Sequence, residues 1–235
     1  MPAVPDQQRA DEAPVSARTV RALILLTMIA GMIDAVAFLG LDQVFAANMT
    51  GNVVLLGLAI GGAPALSING PAVALAAFLA GAAIAGRGER RDQSRHYYVV
   101  RMVRVEAVVV AAAALLAIGF DPDDESRRLL IIAVLAMAMG ARNEEIRRVR
   151  MPELRTTVLT LAIAGFAAHE AEGHRRDRGD RLRFVGIVAM VIGAIASALL
   201  VLNADVVWAL VAIAAAEVLA LLMLGRPARV DRVQA

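Results

Sequence analysis

The sequence predicts an all-α, polytopic membrane bundle of six spanning helices with two short half-helices that dip in and return, and three observations predict it. Hydrophobic residues make up 59% of the 235 positions and charged residues only 20%, more apolar side chain than one soluble core of ordinary proportions hides, so lipid is the required solvent. The apolar residues fall into discrete runs. The charges gather between those runs, and the basic ones are arginine throughout, with no lysine.

A helix rises about 1.5 Å per residue, so roughly 20 apolar residues cross a hydrocarbon layer of about 30 Å. Eight runs approach that length: Ala22 to Leu41, Val44 to Ile60, Ile68 to Ala85, Val103 to Phe120, Leu129 to Ala141, Thr156 to Ala168, Phe184 to Leu202 and Val206 to Leu224. The second and sixth are short or rich in Gly, Thr and Asn. If all eight crossed, the arginine-rich linker from Arg87 to Arg101 would lie outside, against the tendency of basic loops to stay in the cytoplasm. If the second and sixth instead return on the side they entered, the linkers Arg87 to Arg101, Arg142 to Arg155 and Arg175 to Arg183 all fall inside. Acidic Asp121 to Glu125 and uncharged Gly61 to Gly70 then fall outside. Both termini are cytoplasmic in this arrangement.

Around this membrane domain (residues 20–225), residues 1–19 read as a disordered cytosolic tail, with Pro2, Pro5, Pro14, Asp6, Asp11 and Glu12, and residues 226–235 as a second tail. The first apolar run is too long for a signal-peptide core and lacks a small-residue cleavage site, so it is read as a retained helix. Two halves, about 20–120 and 128–225, show the same order of signals: Gly31-Met-Ile-Asp34 ahead of Asn48-Met-Thr-Gly-Asn52, and Gly140-Ala-Arg-Asn143 ahead of Leu154-Arg-Thr-Thr157. With six crossings the halves meet the membrane in opposite senses, the inverted repeat common among transporters. The competing explanation is chance similarity in a chain rich in Ala and Gly.

The polar residues inside apolar runs are the candidates for function. Asp34 lies about 18 Å into the first helix, where an ionised carboxylate costs several kcal/mol unless it is paired or meets water. It serves either a binding site or a structural hydrogen bond to a neighbouring helix, and Glu217 in the last run poses the same question. Glu106 has Arg101 and Arg104 within a turn as expected partners. Asn48, Thr50, Gly51 and Asn52 are helix-starting residue types, and a half-helix beginning inside the membrane would aim its free N–H groups and positive dipole end at a polar or anionic solute. Asn143, Thr156 and Thr157 would supply the matching groups from the other half. Alternatively these small and polar residues only let helices pack closely, with Gly57 and Gly61 as a small-residue contact.

Other chemistry is excluded or unsupported. The chain has no Cys, so thiol catalysis, disulfides and Cys-ligated metals are out. His169-Glu170 and His174 miss the spacing of a zinc-binding helix by one residue, and Gly86-Arg-Gly88 lacks the third glycine and the strand of a dinucleotide site. Asn48-Met-Thr50 fits a glycosylation sequon but opens an apolar run. No catalytic set emerges, so the chain is read as a non-enzyme without cofactor or metal, and the arginine clusters as topology signals instead of a nucleic-acid footprint.

The runs Gly31-Met-Ile-Asp-Ala-Val-Ala-Phe-Leu-Gly40 and Val44-Phe-Ala-Ala-Asn-Met-Thr-Gly-Asn52, with Gly140 to Thr160 carrying Asn143 and the Thr156-Thr157 pair, resemble the YoaK family of bacterial membrane proteins. The resemblance extends from about Val20 to Leu224 and departs at Arg142, where an amide is expected, and at Leu161, where Gly is. It implies a multi-pass protein of the bacterial plasma (inner) membrane, and the family has no established function. The expectation is therefore a secondary transporter or channel for a small polar or anionic solute; a non-transporting scaffold or assembly partner, with a homo-oligomer as one form, is the alternative.

Overall fold

The computed structural model describes residues 17–87, 95–119, 121, 123–149 and 178–225. Among these residues all regular structure is helical: α1 (Ala17–Val36) running into a π-helical segment (Ala37–Asp42), α2 (Met49–Ile60), α3 (Asn69–Arg87), α4 (Arg95–Ala117), α5 (Glu125–Val149), α6 (Arg178–Asn203) and α7 (Val206–Leu224). Four of them, α1 with its π extension, α3, α6 and α7, are long and apolar enough to cross a membrane. The first half of the predicted order is present: a long helix, a short helix and two long ones. The predicted sixth run, Thr156 to Ala168, lies outside the described residues, with Thr156 and Thr157.

The exterior of these helices is itself apolar. Val108, Leu115, Leu199, Leu202, Trp208 and Leu222 are exposed on α4, α6 and α7, where a soluble bundle would carry charge. Apolar side chains inside and outside together fit a lipid solvent. Between helices, glycine governs the closest approaches. A Cβ at Gly31 would lie 2.2 Å from the Met190 carbonyl oxygen and one at Gly193 would lie 2.0 Å from that of Met28, so α1 and α6 cross backbone on backbone, and Gly40 beside Val201 shows that they run in the same direction. Gly81 and Gly140 do the same for α3 and α5, against the carbonyls of Met137 and Phe78 at 2.0 Å each. Gly57, the expected packing glycine of α2, meets no described atom within 4 Å.

Helix α5 continues to Val149, two turns past the predicted end at Ala141. The charges that suggested a loop are instead satisfied by partners within the bundle: Arg142 bonds Glu106, and Glu145 bonds Arg101. This also corrects the local pairing expected for Glu106, which reaches across to α5 and is 1% exposed. Pairing Glu106 with Arg101 or Arg104 of its own helix would have left Arg142 alone in an apolar interior, a far more costly arrangement.

Residues 43–66 form an excursion that returns to its start. The Ser67 hydroxyl donates to the Asp42 carboxylate, and the Gly70 N–H donates to Ser67 Oγ at 3.1 Å. Gly70 sits so close to Asp42 that a Cβ there would fall 2.2 Å from Oδ2. Asn69 Nδ2 donates to Glu125 Oε1 at 2.8 Å, so the starts of α3 and α5 lie at the same end of the bundle. Helix α2 has 12 residues, about 18 Å of rise, well short of a bilayer core.

Candidate functional site

The site is built where α1 stops being regular. After Val36 the chain widens into a π-helical turn, and Gln43 follows at φ 52°, in the left-handed region that non-glycine residues seldom adopt. That reversal sends residues 44–48 back along α1 in a non-helical strand until Asn48 opens α2. A backbone stretch without helical hydrogen bonds needs partners for its N–H groups in an apolar interior.

Asp34 supplies them. Its Oδ1 accepts from the N–H of Ala46 at 2.9 Å and of Ala47 at 2.7 Å. Successive N–H groups converging on one carboxylate make an anion-binding nest whose anion is the protein's own. Asn52 holds the other side of the loop: Oδ1 accepts from Phe45 N–H at 2.8 Å and Nδ2 donates to Phe45 C=O at 2.6 Å. Phe45 in turn stacks on Phe38, with ring centroids 5.3 Å apart. Gly51 leaves room for that ring, since a Cβ would meet Phe45 Cδ2 at 2.6 Å. Asn48 caps α2, accepting from Gly51 N–H at 3.4 Å.

Two of the anticipated residues, Asp34 and Asn48, border one cavity of about 640 Å³, walled by the apolar faces of α1 and α6 together with Phe38 and Phe45. Asp34 Oδ2 is buried and accepts no hydrogen bond among the described residues, so the carboxyl keeps one acceptor in reserve. Asn52 is fully buried and spent on the loop, and Thr50 lies exposed on the first turn of α2. Asn143 borders a separate void of about 10 Å³ with Arg142, Ala30 and Ala47, room for about one water molecule. The described residues thus bring Asp34, Asn48, Gly51 and Asn52 around one loop, with Asn143 behind it.

Sequence reasoning left two things out of this site. The hydrogen bonds that fasten the loop come from the amides of Phe45, Ala46 and Ala47, residue types that carry no signal of their own. The second is the charged centre of the bundle: Arg142 donates to Glu106 Oε1 at 2.9 Å and to the Leu26 carbonyl of α1, and Glu217 of α7 faces Glu106 within the field of Arg142. Arg142 was legible only as a departure from the expected amide.

The comparisons with known proteins agree with this architecture in kind. Residues 22–224 match the family described as "Protein of unknown function (DUF1275)". The chain is similar to the UPF0700 transmembrane protein YoaK of Bacillus subtilis (strain 168), with 30% identity over 190 residues, 75% of this chain and 81% of the relative. No solved structure matches. With a match that runs from the first turns of α1 to the last residue of α7, the chain belongs to the DUF1275 family, and its bundle of apolar helices is that of a membrane protein.

Proposed function

We propose that the protein is a secondary transporter or channel for a small polar solute in a bacterial plasma membrane, with six crossings, both termini cytoplasmic and the 43–66 excursion entering and leaving from outside. The observation that carries this is the broken backbone beside Asp34. Non-helical chain at membrane depth is tolerated where it is buried in protein or lines a cavity, and transporters build their sites from such breaks. The contact of Asp42 with Ser67 supports a segment that enters and returns. The reciprocal glycine crossings of α1 with α6 and α3 with α5 support an inverted repeat, because Gly31 and Gly140, which stand at matching points of the two halves, occupy matching crossings.

Within that reading the chemistry favours a solute that donates hydrogen bonds over an anion. The nest of N–H groups already holds the Asp34 carboxylate, whereas Oδ2 and the Asn48 side chain present acceptors beside an apolar wall. Asp34, Asn48, Thr50, Gly51 and Asn52 form the first half of the site; Asn143, Thr156 and Thr157 are proposed for the second. The test is solute flux in liposomes holding the purified protein, with uncharged amides, primary amines and carboxylate anions compared by osmotic swelling. Flux that is selective for donors and reduced by Asp34→Asn or Thr50→Val supports the site, and flux unchanged in both variants removes it.

A second reading, a non-transporting scaffold or homo-oligomeric assembly partner, draws on one observation. Among the described residues, Asp34 bonds Ala46 and Ala47 and Asn52 bonds Phe45 and Met49, all local partners, as a purely structural role requires. Absence of flux for every solute class, with a defined oligomer retained in detergent, would select it. Neither reading assigns the chain an enzymatic activity, a cofactor or a nucleic-acid partner.

A further inference from the structure

Behind the Asp34 loop, where Arg142 shares a small void with Ala47, the interior of the bundle holds a cluster of charged side chains. Glu106 of α4 is 1% exposed, Arg142 of α5 is 4% exposed and Glu217 of α7 is fully buried. One guanidinium facing two carboxylates leaves a net negative charge in an apolar interior. Such a charge is too costly to keep, and a buried acidic group answers by taking up a proton.

The geometry specifies where the proton goes. Arg142 engages Glu106 through Oε1 alone, leaving Oε2 with no partner among the described residues, and neither Glu217 oxygen has one. Yet Glu217 lies within hydrogen-bonding reach of Glu106. Acceptor faces acceptor with no donor between them, in a place where unsatisfied polar atoms are expensive. A single proton supplies the missing donor and cancels the excess charge in one step.

We propose that Glu217 holds a proton and donates it to the carboxylate of Glu106, making with Arg142 an electroneutral proton-binding site between α4, α5 and α7. The proton is taken from hydronium, which leaves as water; no other bond changes. The charged groups around it are few. From α5 the pair meets Arg142, while Glu145 is engaged by Arg101 of α4. From α1 the Leu26 carbonyl binds Arg142, and Asp34, whose Oδ1 is committed to the 46–47 loop, also feels the Arg142 charge. On α7 Glu217 stands alone among apolar residues. Because Glu106, Arg142 and Glu217 do not line the Asp34 cavity, the inference does not depend on transport.

Infrared spectroscopy of the purified protein in lipid nanodiscs tests it through the carbonyl stretch of a protonated carboxylic acid. At neutral pH the wild type should show this band, and Asp34→Asn should keep it. Glu217→Gln and Glu106→Gln should each abolish it while remaining folded, because each leaves one carboxylate paired with Arg142. The double variant should be less thermostable than either single one, having an uncompensated guanidinium. A wild type without the band, a band that survives both single variants, or a double variant as stable as the single ones would overturn the proposal.

Discussion

Asp34 and Asn52 grip the same short loop from opposite sides, the carboxylate holding Ala46 and Ala47 and the amide holding both backbone groups of Phe45. Four backbone N–H and C=O groups are satisfied that way, and no other described element does it for them. Replacing Asp34 with Ala strands two N–H groups away from water, at about 1–3 kcal/mol each. Asp34→Ala should therefore lose about 2–6 kcal/mol in reversible unfolding in mixed micelles. Asp34→Asn, which keeps an acceptor oxygen, should lose less than half of that; equal losses would show that the loop does not hang on this oxygen.

The glycine crossings give a sharper contrast. An alanine at Gly81 or Gly140 sets a Cβ about 2.0 Å from a carbonyl oxygen on the facing helix, and backbone cannot step aside as a flexible side chain can. Overpacking of this kind costs about 1–3 kcal/mol or more per site. Gly57→Ala, with no described neighbour within 4 Å, should be neutral or stabilise by up to about 1 kcal/mol through helix propensity. Thermal aggregation midpoints in detergent would rank the three variants, and Gly57→Ala ranking with the other two would contradict the crossings.

These crossings also show how far the sequence could be read. Hydrophobic run length located the long helices, because length and apolarity are local properties, and the Gly, Thr and Asn content of the run at Val44 marked it as irregular. The partners of Gly31 and Gly81 could not be read, since Met190 and Met137 contribute carbonyl oxygens that every residue possesses. The end of α5 was misplaced for the same kind of reason. Arg142 and Glu145 look like loop residues until Glu106 and Arg101, 36 and 44 positions away, are seen to pair with them. Asp34 stood out as a carboxylate in an apolar run, but that its anion fills its own nest depended on the π-helical turn and the positive φ of Gln43.

The ion pair of Arg101 with Glu145 separates screening from burial. The arginine side chain is 42% exposed and the glutamate 5%, so solvent weakens the attraction but the acid has little water of its own. Arg101→Ala should cost about 1–2 kcal/mol, between the values for exposed and fully buried pairs. The charge swap Arg101→Glu with Glu145→Arg should recover about half of it in a double-mutant cycle. A swap no better than the worse single variant would mean that packing, and not charge, holds the two side chains.

The absence of Cys from the chain makes topology measurable with single added thiols. Asp42 meets Ser67 and Asn69 meets Glu125, so the loops after α2 and after α4 should open on the same face of the membrane. Gly62→Cys and Asp124→Cys should both react with an impermeant maleimide added outside intact cells. Ser94→Cys, in the arginine-rich linker, should react only after the membrane is opened, because basic loops are retained in the cytoplasm. If Gly62→Cys and Asp124→Cys label from opposite faces, the 43–66 segment crosses instead of returning. The Asp34 loop would then be no break in a transport path.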